Sequence, residues 1–230
     1  LESIRGILKG QKESVPLISP WSASVQVEDY QLLPVLRALS MPRVNMLLAD
    51  DVGLGKTIQA GLITCELMTR RNVRRVLIVC PASLQNQWKQ EMEEKFHLDF
   101  TILDGHEIQR IHQEQGSDVN PWSLTTRGII SMDYLKQELV LTDWLANNEA
   151  RRKTTPQSQR LWDLLIVDEA HNVSPQNFTD RSDRTRMLDS IREEFEHTLF
   201  LTATPHNGYA KNFTGLLELL DPYRFTQRAE

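Results

Sequence analysis

The chain has 230 residues, 40% of them hydrophobic, which suits one large domain or two small ones with a proper core. A net charge of -5 excludes a general basic field of the kind that advertises nucleic acid, so any such contact has to be local. No apolar run approaches the roughly 18 residues of a membrane span, no signal peptide is visible, and the two cysteines, Cys65 and Cys80, lack the spacing of a zinc site or redox pair and fit a reducing compartment.

Taken in order, residues 1–24 read as a lead-in with scattered Pro and Ser and at most one short strand. Residues 27–39 carry Tyr30, Leu33, Leu36 and Leu39 at helical steps, with Pro34 tolerable only near the helix start. Residues 44–48 form a buried strand. A loop with Gly53 and Gly55 follows, then Lys56-Thr57, then a helix over 58–71. Strand, glycine loop, Lys-Thr and helix form the layout of a phosphate-binding loop. Glycines let backbone N–H groups approach phosphate oxygens. The helix start turns its positive end toward the same anion. Lys56 reaches the β and γ phosphates, and the Thr57 hydroxyl suits a magnesium ion. The strict motif has glycine where this chain has Asp50.

The basic turn at 70–75 reads as a solvated helix end whose cations match the helix dipole. Residues 76–80 form a strand ending in Pro81-Ala82-Ser83, and Ser83 is placed to cap a helix over 84–96. A short strand at 99–103, a polar helix at 106–115, a loop at 116–126 and a strand at 128–131 come next. The polar stretches 147–159 and 174–186 read as exposed, mobile loops. Between them a strand at 162–167 ends in Asp168-Glu169-Ala170-His171. A helix at 187–196 leads to a strand at 198–201 that ends in Thr202-Ala203-Thr204-Pro205. Residues 208–215 read as loop and 216–220 as a short apolar helix. The first residue is Leu1 rather than Met, which predicts a piece of a longer protein.

Alternating strands and helices predict an α/β domain with a mostly parallel sheet covered on both faces. In such sheets ligands sit beyond the carboxyl ends of the strands. Five polar clusters fall there, at residues 50–57, 81–83, 131–133, 168–171 and 202–205. Asp168 suits magnesium opposite Thr57, and Glu169 is free to orient or deprotonate an attacking water. His171 is expected within reach of the Thr202–Thr204 turn. His97, His106, His112, His197 and His206 have no metal spacing and read as surface or structural.

Residues 48–57, Asp168-Glu169-Ala170-His171 and Leu201-Thr202-Ala203-Thr204-Pro205 resemble motifs I, II and III of the superfamily 2 helicase-like ATPases, and within them the Swi/Snf family of double-stranded DNA translocases. Residues 79–84, with Trp88 downstream, are similar to motif Ia, and residues 130–134 to motif Ib. Tyr30-Gln31 resembles the glutamine motif that reads adenine. The nearest branch by resemblance is the bacterial one that includes the RNA polymerase-recycling ATPase RapA. Asp51 stands where the family usually has Glu, a conservative departure. Motifs IV to VI of a second RecA-like lobe, with its arginines, do not follow.

The resemblance implies a three-layer RecA-like P-loop NTPase lobe over residues 25–230, with the second lobe C-terminal in the longer chain. It implies ATP and Mg2+ as cofactors. Gln31, Asp51, Gly53, Leu54, Gly55, Lys56 and Thr57 would hold the nucleotide, Thr57 and Asp168 the metal, and Lys56, Asp168 and Glu169 would carry hydrolysis. His171, Thr202 and Thr204 would couple nucleotide state to DNA grip. Pro81, Ala82, Ser83, Ser131 and Met132 would follow the backbone of double-stranded DNA, a contact that needs no basic surface overall. The expected setting is the cytoplasm, on the nucleoid if bacterial. RNA polymerase or another DNA-bound protein is an expected partner. Two other functions fit the motifs: a nucleotide-regulated module docking on RNA polymerase or a DNA-defence complex through its charged loops, and a strand-separating helicase.

Overall fold

Six short apolar strands form one open sheet in the order β1-β6-β5-β2-β4-β3, and every neighbouring pair is parallel. They are β1 (Asn45–Leu48), β2 (Val76–Cys80), β3 (Thr101–Leu103), β4 (Arg127–Ser131), β5 (Trp162–Val167) and β6 (Phe195–Leu201). This computed structural model describes residues 16–51, 53–156, 159–174, 182–204, 210–222 and 224–225. The parts of the expectations that fall on residues 1–15, Val52, 175–181, Pro205 and 206–209 lie outside them.

Among the described residues the helices are α1 (Ser19–Ser22), α2 (Asp29–Ser40), α3 (Lys56–Arg71), α4 (Gln85–Phe96), α5 (Gly105–Gln115), α6 (Pro121–Leu124), α7 (Met132–Leu135), α8 (Glu138–Arg152), α9 (Asp183–Arg192) and α10 (Ala210–Leu220), with 3-10 turns at Ala82–Leu84 and Ala170–Val173. The strand period of two divides the core into two layers. Val76, Ile78 and Cys80 face the layer built by α2, α3 and α4, whereas Leu77 and Val79 face the layer built by α8, α9 and α10. The sheet is therefore buried on both faces, which is why its strands read as continuous apolar runs rather than alternating ones.

Several boundaries differ from the sequence reading. Residues 147–152 belong to α8 and are not a mobile loop. Asn147 and Asn148 are buried there, and Asn148 Oδ1 accepts from the Trp162 indole at 3.2 Å. Polar residues that serve a buried tryptophan look like loop residues when read alone. The helix expected at 187–196 begins earlier, at Asp183, where Ser182 caps it, and ends at Arg192. Strand β6 starts at Phe195, inside that expected helix, because Phe195 packs against Trp144 and Trp162. Helix α10 occupies residues 210–215, which were expected as loop, and α6 interrupts the loop expected at 116–126. Among the described residues of the lead-in, Ser19–Ser22 form a helical turn. Ser83 lies in a 3-10 turn and caps nothing; α4 has no side-chain cap.

Candidate nucleotide-binding site

The loop after β1 turns sharply because Gly53 and Gly55 adopt φ of 82° and 80°, a region closed to most side chains. At Gly55 a Cβ would also meet Gln31 Nε2 at 2.3 Å, so only glycine fits. Gly55 is the N-cap of α3 and offers no side chain to cap it. Unpartnered N–H groups at the start of a 16-residue helix form the donor set that suits a phosphate. Lys56 Nζ lies over the same loop, donating to the carbonyls of Asp50 at 2.7 Å and Asp51 at 3.0 Å.

Gln31 braces this loop from α2. Its Nε2 donates to Leu54 O at 3.2 Å, and its Oε1 accepts from Glu28 N at 3.0 Å. Asp50, in the place of the usual glycine, has a partner that sequence reasoning missed: Gln59 Nε2 donates to its Oδ2 at 2.7 Å. Gln59 is fully buried two helical positions past Thr57, and an acid beside a phosphate loop needs a donor to hold it aside. The signal was available, since Asp50 is the one break in the motif.

Thr57 and Asp168 line one small cavity of about 20 Å3 together with Leu84, Gln87 and Trp88. The ends of β1 and β5 thus bring the two expected metal ligands to a shared space. Asp168 Oδ2 accepts from Trp88 Nε1 at 2.8 Å and its Oδ1 from Glu169 N at 2.8 Å. Each oxygen retains a lone pair for a metal. A hydroxyl and one carboxylate are what a magnesium ion takes from the protein when phosphates and waters complete its shell. The residues present therefore fit Mg2+ on a triphosphate.

Glu169 itself has φ of 47°, unusual outside glycine. Its side chain meets His171, whose Nδ1 lies 3.2 Å from Glu169 Oε2. The same Nδ1 is 3.1 Å from Thr202 Oγ1. Thr202 is fully buried, and its hydroxyl also accepts from Thr204 N at 3.2 Å. Glu169, His171, Thr202 and Thr204 therefore form one connected chain between the ends of β5 and β6, as the sequence led one to expect of His171.

The five residues expected along DNA divide. Ala82 and Ser83 are exposed and Pro81 is half-buried at the end of β2. Ser131 is buried, with its Oγ accepting from Tyr134 N at 3.1 Å to start α7, and Met132 is buried beside it. Their side chains serve the fold, which leaves only the main chain of that turn for a phosphate. Burial pushes the Cys65 thiol up to about 11 and the Cys80 thiol up to about 12, which disfavours the thiolate at both. His197 is structural, its Nδ1 accepting from Val44 N at 3.1 Å.

Residues 29–230 match the family model of the SNF2-related domain. The chain belongs to that family. This SNF2-related domain is 35% identical over 184 residues to the RNA polymerase-associated protein RapA of Serratia proteamaculans, and 36% over 185 residues to RapA of Photobacterium profundum. Each alignment covers 80% of this chain but only 17% of the relative. Among solved structures it is similar to the SWI2/SNF2 ATPase core of Sulfolobus solfataricus in complex with dsDNA, with a TM-score of 0.61 and 19% identity over 91% of this chain and 38% of that one. The helicase domain of Pyrococcus furiosus Hef also scores 0.61, with 17% identity over 85% of this chain and 36% of that one. At such identities these two likenesses speak for the fold. The chain is thus a RecA-like domain of the Swi/Snf ATPase family, on the RapA-like branch. Among the described residues no helix is long and apolar enough to cross a membrane.

Proposed function

We propose that this domain binds Mg-ATP between Lys56 and Asp168 and is the first of two lobes of a motor that moves along double-stranded DNA without separating its strands. The observation that carries the reading is the meeting of Thr57 and Asp168 on one cavity, with the Glu169–His171–Thr202 chain leading away from it. Bound magnesium nucleotide supplies a polarised γ-phosphoryl group. Lys56, now on the loop carbonyls, would hold the β and γ phosphates. Asp168 and Thr57 would hold the metal, and Glu169 would orient the attacking water. The Gln31 amide has a second N–H beyond the one on Leu54 O, and we assign it to the adenine edge. The contacts Glu169–His171 and His171–Thr202 would let a change at the γ-phosphate reach the turn after β6.

Pro81, Ala82, Ser83 and the main chain at Ser131 and Met132 would track the phosphodiester backbone. A contact made of small groups and amides is independent of base sequence, as movement along DNA requires. RNA polymerase is the protein partner we propose, because the RapA relatives carry that association in their name. A docking role for the 147–159 stretch is weakened by the burial of Asn147 and Asn148.

Two assays test the reading. An arginine from the other lobe of such an enzyme is worth about 10³ to 10⁵ in turnover in related chemistry, so this domain alone should hydrolyse ATP very slowly. The longer protein should displace a third strand from a triplex in an ATP-dependent way without unwinding a plain duplex. Rapid hydrolysis by the domain alone, or unwinding of the duplex, would contradict the proposal.

A further inference from the structure

A second site lies at the opposite rim of the sheet, at the amino ends of β2 and β5. Asn72, Arg74, Arg75, Arg151, Arg160 and Asp163 border a cavity there of about 360 Å3, within the range of small-ligand pockets. The four arginines come from the turn before β2, the last turn of α8 and the approach to β5.

Charge matching to helix ends is the ordinary explanation for such arginines, and it falls short here. Helices α3 and α8 both end at this rim, and each end contributes about half a negative charge. Asp163 adds one more, with its Oδ2 accepting from the backbone N–H groups of Arg74 and Arg75 at 2.7 Å each. Four guanidiniums against those groups leave a surplus of about two positive charges. The donors are also under-used. Arg75 and Arg151 each keep a buried Nε without a hydrogen-bond partner. Arg75 is only 9% exposed, with its guanidinium 4.1 Å over the Trp162 ring and its Nη2 on Trp122 O at 3.4 Å. Buried N–H donors left unmatched carry a free-energy cost, so this rim is short of acceptors for its arginines. Burial, with Arg151 adjacent, lowers the Arg75 guanidinium to about 10 against the opposing pull of Asp163.

We infer that this cavity binds a compact phosphate dianion or short polyphosphate, held by forked contacts from Arg74, Arg75 and Arg151. The inference is independent of the nucleotide site, which lies on the other rim. A concave site of this size suits a compact ligand better than a polymer backbone.

Indole N–H signals in a nitrogen-15 NMR spectrum separate the two rims. The Trp162 indole donates to Asn148, one helical turn before Arg151, and the Trp88 indole donates to Asp168 beside Lys56. Titrating the chain with magnesium-free pyrophosphate should shift the Trp162 signal saturably. The double variant Arg74→Gln, Arg151→Gln should weaken that response at least 10-fold while the dispersion of the other indole signals stays unchanged. Arg151→Lys should retain part of it. A Trp162 signal that stays still, that moves as much in sodium chloride of equal ionic strength, or that titrates equally in the double variant overturns the inference. So does a response to duplex DNA without one to pyrophosphate, or a shift confined to Trp88.

Discussion

Trp88 donates its indole N–H to Oδ2 of Asp168 at 2.8 Å across 80 positions of sequence. The indole is 2% exposed, so the bond is shielded from water and fixes the carboxylate where it borders the cavity shared with Thr57. Trp88→Phe retains the aromatic packing and deletes the donor. Partners that orient metal ligands are worth about 10- to 100-fold in metal affinity. The magnesium concentration for half-maximal binding of a non-hydrolysable ATP analogue should therefore rise about 10-fold, measured by calorimetry. An unchanged magnesium dependence would reduce Trp88 to a core residue.

Glu66 clips the amino-terminal segment to α3. Its side chain is inaccessible to solvent and accepts from Ile18 N at 2.6 Å, Ser19 N at 2.7 Å and Arg70 Nε at 2.5 Å. Burial alone would raise this carboxyl, but the hydrogen bonds from Arg70, Ser19 and Ile18 outweigh it and hold it below the ordinary carboxylate value. Glu66→Ala strands those donors and should lower stability by about 3 kcal/mol in urea titrations. A loss within 0.5 kcal/mol, about what an ordinary surface substitution causes, would show that the clip contributes little.

Helix α3 contains Gly61, where alanine would normally add helix propensity. Here a Cβ would meet the Phe96 ring at 2.2 Å. Phe96 is 5% exposed in the core between α3 and α4, so the ring has little room to retreat. Gly61→Ala should destabilise by about 1–3 kcal/mol despite its better propensity. A stabilised variant would mean that α3 and α4 separate readily.

His197 gives the fold a pH dependence. Burial, with Arg71 and Arg43 nearby, lowers its pKa below the ordinary 6.5. Its Nδ1 has to stay unprotonated to accept from Val44 N. The unfolded chain therefore binds the proton first. The stability that depends on neutral His197 is fully present above about pH 6.5 and is lost as pH falls toward the lower folded value, by at most about 1.4 kcal/mol per pH unit. His197→Gln should flatten the dependence of Tm on pH in that window. An identical slope in the variant would assign the effect to other groups.

The sequence disclosed the sheet because its strands are buried on both faces and so appear as unbroken apolar runs such as Val76 to Cys80. It disclosed the His171–Thr202 contact because both residues follow the carboxyl ends of strands, which turn out to be neighbours. Non-local partners stayed hidden. Asn148 looked like a loop residue until Trp162 supplied its partner, and nothing near Trp88 pointed to Asp168. Gln59 was legible in principle, since Asp50 had replaced a glycine, but the pairing emerges only once α3 fixes which way Gln59 faces. Ser131 and Met132 belonged to the right turn, yet burial decided what their side chains do.

The most direct test concerns Lys56, whose ammonium group lies over the glycine loop on the same rim as Asp168. A calorimetric titration of a non-hydrolysable Mg-ATP analogue into the wild-type domain and into Lys56→Ala measures its share of binding. The account expects affinity to fall at least about 100-fold, equivalent to about 2.7 kcal/mol, with an unchanged circular dichroism spectrum. Equal affinity in the two proteins would contradict it, because the phosphate tail would then lie somewhere other than between Lys56 and Asp168.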